Sequence, residues 1–409
     1  MKDLHFLGVG GCGRKLLFEM VRRGSPDSRA AHLFLDLSDD VDYLYKDLPP
    51  GAYTDIKPRE FSGGVGRVPM SAEYIAANLF RLFNVPERTL VPRVANIYLH
   101  SLGGGTGSGM VPVLIDRAKA LSPSTVHIAC SVFTEGPALE NANHLYTFKR
   151  CSERADLMVV LENRAMERLL RREKPGSGKM PLQFINEHII SILDLITAAR
   201  KPGAYPGLTD FKNYMNHLAL DPAYRKGARW LVPVVWPPLG VAVEPGFDRY
   251  TPFGWCLRAL QEGPLCDGVE MDRVRLAILV IEAPFQDYLA RHDLPAEVGK
   301  LERYLGLARG SVLTTLVPRS GGLRLCLLLY PPPFRKLREL LTLPDEEMVR
   351  AKAGWRHGAE RDLKELTLTG EVPAEARPEQ AMLRILRTIE TADPRRGLGE
   401  LLQAAAGQG

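Results

Sequence analysis

Cysteine is sparse in this chain: six in 409 residues (Cys12, Cys130, Cys151, Cys256, Cys266 and Cys326), with no CxxC spacing among them. They lie far apart and mostly within apolar runs such as HIACSVF and LRLCLLLY, so buried free thiols in a reducing compartment are the expectation over disulfides or a metal site. No uninterrupted apolar run approaches the about 18 residues of a membrane-spanning helix. The opening MKDLHFLGVGG enters a strand without the charged, apolar and small-residue regions of a secretory leader. These absences lead to the expectation of a cytoplasmic protein with no direct membrane insertion. Charge of one sign is not concentrated either: the net +5 is spread along the chain, which gives little support for nucleic acid as a partner. Internal repeats and long low-complexity tracts are lacking as well.

What is present is ordinary globular composition, 45% hydrophobic and 25% charged, at a length for which two domains are the default. Strand-like runs LHFLGV, HLFLDL, NIYLHSL, VHIACSVF and LMVVLEN alternate with the helix-like SAEYIAANLFRLF, GMVPVLIDRAKAL and NANHLYTFKRCSERA. The near-continuous apolar character of the strands predicts a parallel sheet covered on both faces, in a doubly wound α/β domain. Residues 182–200 place Leu182, Ile185, Ile189, Ile192, Leu193 and Ile196 on one face of a long central helix, which KPGAYPG then ends. The expected domains are a Rossmann-like nucleotide domain over 1–180, the central helix and the following loop over 181–225, a smaller second α/β domain over 226–335, and a helical C-terminal extension over 336–409. In that extension, Trp355 reads as a packing anchor on a charged helix. His5, His32, His100 and His127, in or beside predicted strands and without ligand spacing, read as core or edge histidines.

Two glycine-rich turns carry the chemistry. The first strand ends in GVGGCGRK, where Gly8, Gly10, Gly11 and Gly13 allow a tight turn that presents backbone N–H groups at the start of a helix, a seat for an anion. Alone, this also satisfies the dinucleotide fingerprint, with Asp36 standing where a ribose acceptor is wanted, so an NAD- or FAD-linked oxidoreductase is one alternative. The second turn, GGGTGSG, brings Gly103, Gly104, Gly105, Gly107 and Gly109 together with the hydroxyls of Thr106 and Ser108. A dinucleotide enzyme has no need of it. Two such turns can hold one polyphosphate between two helix N-termini. No lysine follows the glycines, so charge neutralisation would fall to helix dipoles and a bound Mg²⁺.

GGGTGSG, preceded by the N-terminal GxGGxG strand-turn-helix, resembles the signature of the tubulin and FtsZ family of GTPases. The resemblance implies GTP or GDP, with Mg²⁺, as cofactor. It implies phosphate contacts at Gly10, Gly11, Cys12 and Arg14 and at Gly103 to Ser108, and a further phosphate-sensing loop at Gly63 and Gly64. Glu140 and Asn143 in FTEGPALENAN resemble the ribose-gripping segment. Asn163 and Asn186 resemble the two asparagines that read guanine, an edge that suits an amide's paired donor and acceptor. The family completes its site at a head-to-tail contact between subunits, and LTDFKNYM resembles the segment that carries the catalytic carboxylate, here Asp210; as a helix N-cap, Asp210 would have a second, compatible role. Just upstream, where the family has an asparagine and an acidic residue, this chain has Tyr205 and Gly207. The resemblance therefore implies a polymerising GTPase that forms cytoskeletal filaments, with an adaptor at the C-terminal helices as a further partner. A nucleotide-binding structural or regulatory relative without turnover is the other alternative.

Overall fold

The computed structural model describes residues 3–22, 30–37, 48, 53–56, 65, 67–79, 90–92, 94–134, 136–173, 182–198, 211–236, 251–263, 266–283, 292–318, 324–365 and 378–406. Its strands are β1 (Leu4–Val9), β2 (Ala30–Leu35), β3 (Thr54–Ile56), β4 (Ala95–Ser101), β5 (Val126–Phe133), β6 (Leu157–Glu162), β7 (Trp230–Trp236), β8 (Leu276–Ala283), β9 (Val312–Pro318) and β10 (Arg324–Tyr330). Its helices are α1 (Gly10–Arg22), α2 (Pro69–Leu79), α3 (Thr106–Leu121), α4 (Ala138–Arg154), α5 (Asn163–Glu173), α6 (Leu182–Ala198), α7 (Phe211–Leu220), α8 (Pro222–Arg225), α9 (Pro252–Glu262), α10 (Leu294–Tyr304), α11 (Arg335–Leu341), α12 (Asp345–Glu365), α13 (Pro378–Thr391) and α14 (Pro394–Ala405). Mostly parallel strands with interleaved helices make this an α/β fold.

The chain forms two compact units. One comprises Met1–Met158 with Arg338–Leu401, the other Val159–Leu337 with Leu402–Gly409. The strand order in the first unit is β3-β2-β1-β4-β5, and all four pairings are parallel. All the residues of β1 and β4 are buried, as their apolar runs predict. The order advances outward from β1 through β2 to β3, then returns to β4 on the other side of β1 and continues to β5. That reversal is a topological switch point, and in doubly wound sheets ligands lie in the crevice beyond the strand ends at that point. Register sets Leu4 opposite Ala95 and Gly8 opposite Leu99, so the turns that leave β1 and β4 emerge side by side.

The carboxyl-terminal helices α12 and α13 belong to this first unit. Trp355 of α12 is fully buried, and its ring meets Tyr146 of α4 edge-on, with centroids 6.2 Å apart. Trp355 is therefore an anchor, and the surface it buries belongs to α4.

In the second unit, β7, β10, β8 and β9 are neighbours in that order, with β10 antiparallel to both β7 and β8, and β9 parallel to β8. Trp236, Trp255, Leu279 and Leu327 lie in its core. On α6, Ile185, Ile189, Ile192, Leu193 and Ile196 are all buried, as their spacing predicts, and His188, Ile190, Ser191 and Leu195 are buried too, so the helix is covered on more than that one face. All six cysteines are free. Among the described residues no helix is long and apolar enough to cross a membrane.

Candidate nucleotide site

The two glycine turns meet backbone to backbone. Gly10 opens α1 with φ +69°, a conformation glycine adopts at little cost. A Cβ at Gly10 would stand 2.8 Å from the Gly107 nitrogen, and one at Gly107 would stand 2.7 Å from the Val9 carbonyl oxygen. Close packing also demands glycine at Gly13, where a side chain would collide with the Leu99 carbonyl, and at Gly105, where it would collide with that of Val65. Gly11 and Gly104 are different. A Cβ at either would meet nothing within 4 Å, and neither has a positive φ. At these two positions the fold does not require glycine.

Both turns run into helix N-termini. The first four N–H groups of a helix have no intrahelical acceptor. At α3, the N-cap residue Gly105 provides no side-chain cap, and neither first turn carries an acidic residue. The positive end of each helix dipole thus points toward the turns without a protein carboxylate in its own first turn. Cys12 is partly exposed, and burial raises its thiol to about 11, so it is uncharged at neutral pH.

Several side chains read as ligand contacts are instead committed to the protein. Arg14 is fully buried, and its guanidinium pairs with Asp36 at 3.2 Å. Asp36 also accepts from the Leu37 amide at 2.8 Å and bonds the Thr106 side chain. Burial pushes the Asp36 carboxyl upward, while Arg14 and these hydrogen bonds draw it back. One carboxylate therefore ties a residue of the first glycine turn to a residue of the second. Parallel pairing of β1 with β2 explains the arrangement: Val9 sits opposite Leu35, which brings the residue after β2 beside the first turn of α1. Ser108 is buried and donates to the Ser101 carbonyl at 2.9 Å, so its hydroxyl serves the turn itself.

Asn143, on α4, is also fully buried. Its Nδ2 donates to the carbonyls of Arg67 and Gly103, each at 2.9 Å, and of Gly104 at 3.2 Å, while its Oδ1 accepts from the Trp355 indole at 2.7 Å. An indole N–H can only donate and carbonyls can only accept, so the amide orientation is fixed. Asn143, expected from the resemblance to contact the ribose, here holds the glycine turn. Glu140, in the first turn of α4, pairs with Arg67 at 2.7 Å.

Asn163 opens α5 directly after β6, and Asn186 lies on α6; both are partly exposed and belong to the second unit. Gly63, Gly64, Tyr205, Gly207 and Asp210 lie outside the described residues.

Taken together, paired glycine turns at the switch point of a parallel sheet, each feeding a helix N-terminus, make a doubly wound α/β arrangement suited to an anion. The Tubulin/FtsZ family, GTPase domain, matches residues 89–171, from just before β4 into α5. Cell division protein FtsZ 1 of Archaeoglobus fulgidus is 26% identical over 193 residues, which cover 47% of this chain and 50% of that protein. The match thus spans about half the length of this relative. Over this region the chain resembles the tubulin/FtsZ family at a divergent level.

Proposed function

We propose that this chain binds GTP at the paired glycine turns and hydrolyses it in head-to-tail filaments, the neighbouring subunit supplying Asp210. The observation that carries the reading is the open space at Gly11 and Gly104. Seven of the nine glycines in the two turns are explained by packing, whereas at these two the space is open to a ligand approaching the backbone. A phosphate chain suits that space, because uncapped helix N-termini offer N–H donors and a favourable dipole without requiring a lysine. Asn163 and Asn186 are the guanine-reading candidates, and the exposed Arg67, paired with Glu140, stands beside the second turn as a cation able to meet phosphate.

A magnesium ion in this reading is held mainly by phosphate oxygens and water, as the ion prefers. Among the described residues no group of three or more histidine, cysteine or acidic side chains gathers to hold a metal. The hydroxyl of Ser108 and the carboxylate of Asp36 are already engaged. When bound, the ion would neutralise charge that develops on the phosphates, and a carboxylate at Asp210 would orient the attacking water.

An oxidoreductase reading finds no support at Asp36, because that carboxylate is buried against Arg14 and unavailable to a ribose. The non-hydrolysing scaffold remains the competing reading, since Tyr205 and Gly207 replace the polar residues expected upstream of Asp210. Phosphate release measured against protein concentration separates the two. A steep rise above a threshold, with filaments seen by electron microscopy in GTP, is expected of a site completed between subunits; bound GTP without turnover at any concentration would refute the enzyme.

A further inference from the structure

The fully buried Trp355–Asn143 contact joins a carboxyl-terminal helix to the glycine turn through a single side chain. Asn143 has one acceptor oxygen, and Trp355 donates to it; the amide's two hydrogens serve the Gly103, Gly104 and Arg67 carbonyls. Packing locks both partners. Trp355 lies edge-on to Tyr146, and Gly354 brings α12 against Leu139, at the start of α4. Without the indole N–H, Oδ1 would be a buried acceptor lacking this donor, and the amide would lose what fixes its orientation over the turn.

We infer that Trp355 is a positioning residue for the nucleotide site: through Asn143 it holds the Gly103 and Gly104 carbonyls so that the N–H groups that follow face the phosphates. This rests on the GTP-binding reading and adds to it that α12, remote in sequence, sets the affinity of the turn. The arrangement also makes Trp355 a reporter. Its indole N–H touches the side chain that holds the turn, so occupancy of the turn should change the Trp355 emission.

The test uses the full chain with Trp355→Phe and, to keep the indole's shape while removing the N–H, Trp355→benzothienylalanine. Hydrogen exchange without nucleotide reads the turn, GTP titration reads affinity, and thermal unfolding reads stability. Amides of residues 103–108 should exchange about tenfold faster in both variants, and GTP should bind about tenfold more weakly, as expected for one buried hydrogen bond. The Trp355 contribution to the GTP-dependent indole signal should be lost in both, and the benzothienyl variant, which keeps the packing, should melt only a few degrees below the wild type. Unchanged exchange in both variants, or unchanged GTP affinity despite faster exchange, would overturn the positioning role. A wild type that binds no GTP would instead remove the functional reading, and the role at a nucleotide site with it.

Discussion

Replacing Gly11 and Gly104 by alanine separates what the fold needs from what a ligand needs. Both have a backbone that alanine adopts without strain, and a methyl at either position meets no atom within 4 Å. Gly11 is the second residue of α1, where alanine is favoured over glycine by about 1 kcal/mol. At Gly104, restricting the unfolded chain contributes about 0.4–1 kcal/mol. The double variant should therefore be more stable by roughly 1–2 kcal/mol, and at about 2–4 °C per kcal/mol for a unit of this size its melting temperature should rise by several degrees. Binding should move the other way. Two methyls in the path of the phosphates should lower GTP affinity at least about tenfold, or roughly 1.4 kcal/mol. Gly10→Ala is the counter-case: with φ +69° and the Gly107 nitrogen 2.8 Å from the new Cβ, it should destabilise and bind poorly together. Thermal denaturation and calorimetric GTP titration read both quantities. Wild-type affinity in the Gly11→Ala/Gly104→Ala protein would refute the claim that a ligand occupies that space.

Arg14→Met leaves the Asp36 carboxylate buried without its cation and should cost about 3–5 kcal/mol, whereas Arg14→Met combined with Asp36→Leu should recover most of it; additive losses in denaturant titrations would contradict the coupling. His100, His127 and His188 are each held by burial near pKa 4, below the ordinary 6.5. The unfolded chain therefore takes up protons first, and stability should fall as pH drops from about 6.5 toward 4, by about 2 kcal/mol per histidine at pH 5. A stability curve that is flat between pH 7 and 5 would show that these rings do not stay neutral in the fold. Asp210→Ala should leave GTP binding intact, slow phosphate release and lengthen filaments; normal turnover would remove its catalytic assignment.

The fold was legible where burial is expressed locally. β1, β4 and β5 are continuous apolar runs whose limits fall within a residue of those read from the sequence, and helical spacing picked out buried positions of α6 but not Ile190 and Leu195, buried outside that stripe. The three-residue β3 has too little pattern to be read. The two glycine turns were legible as motifs, but not the division of labour within them, because which glycines face protein and which face space depends on strand order. The same holds for side chains. Arg14 and Asp36 are 22 residues apart, and only the β1–β2 register makes them partners. Asn143 and Trp355 are 212 residues apart, and no local signal links them. Polar residues near a motif read as ligand contacts in one dimension; in three dimensions Arg14, Ser108 and Asn143 are buried and bonded to the protein around the turns.

The first unit is discontinuous, with Val159–Leu337 inserted between its two parts. During synthesis, β1, β4 and both glycine turns leave the ribosome long before α12, so the sheet can form while the indole that fixes Asn143 does not yet exist. Nascent chains would thus carry a turn still lacking its brace, and tight nucleotide capture would wait until the far side of the insertion had been translated and folded back.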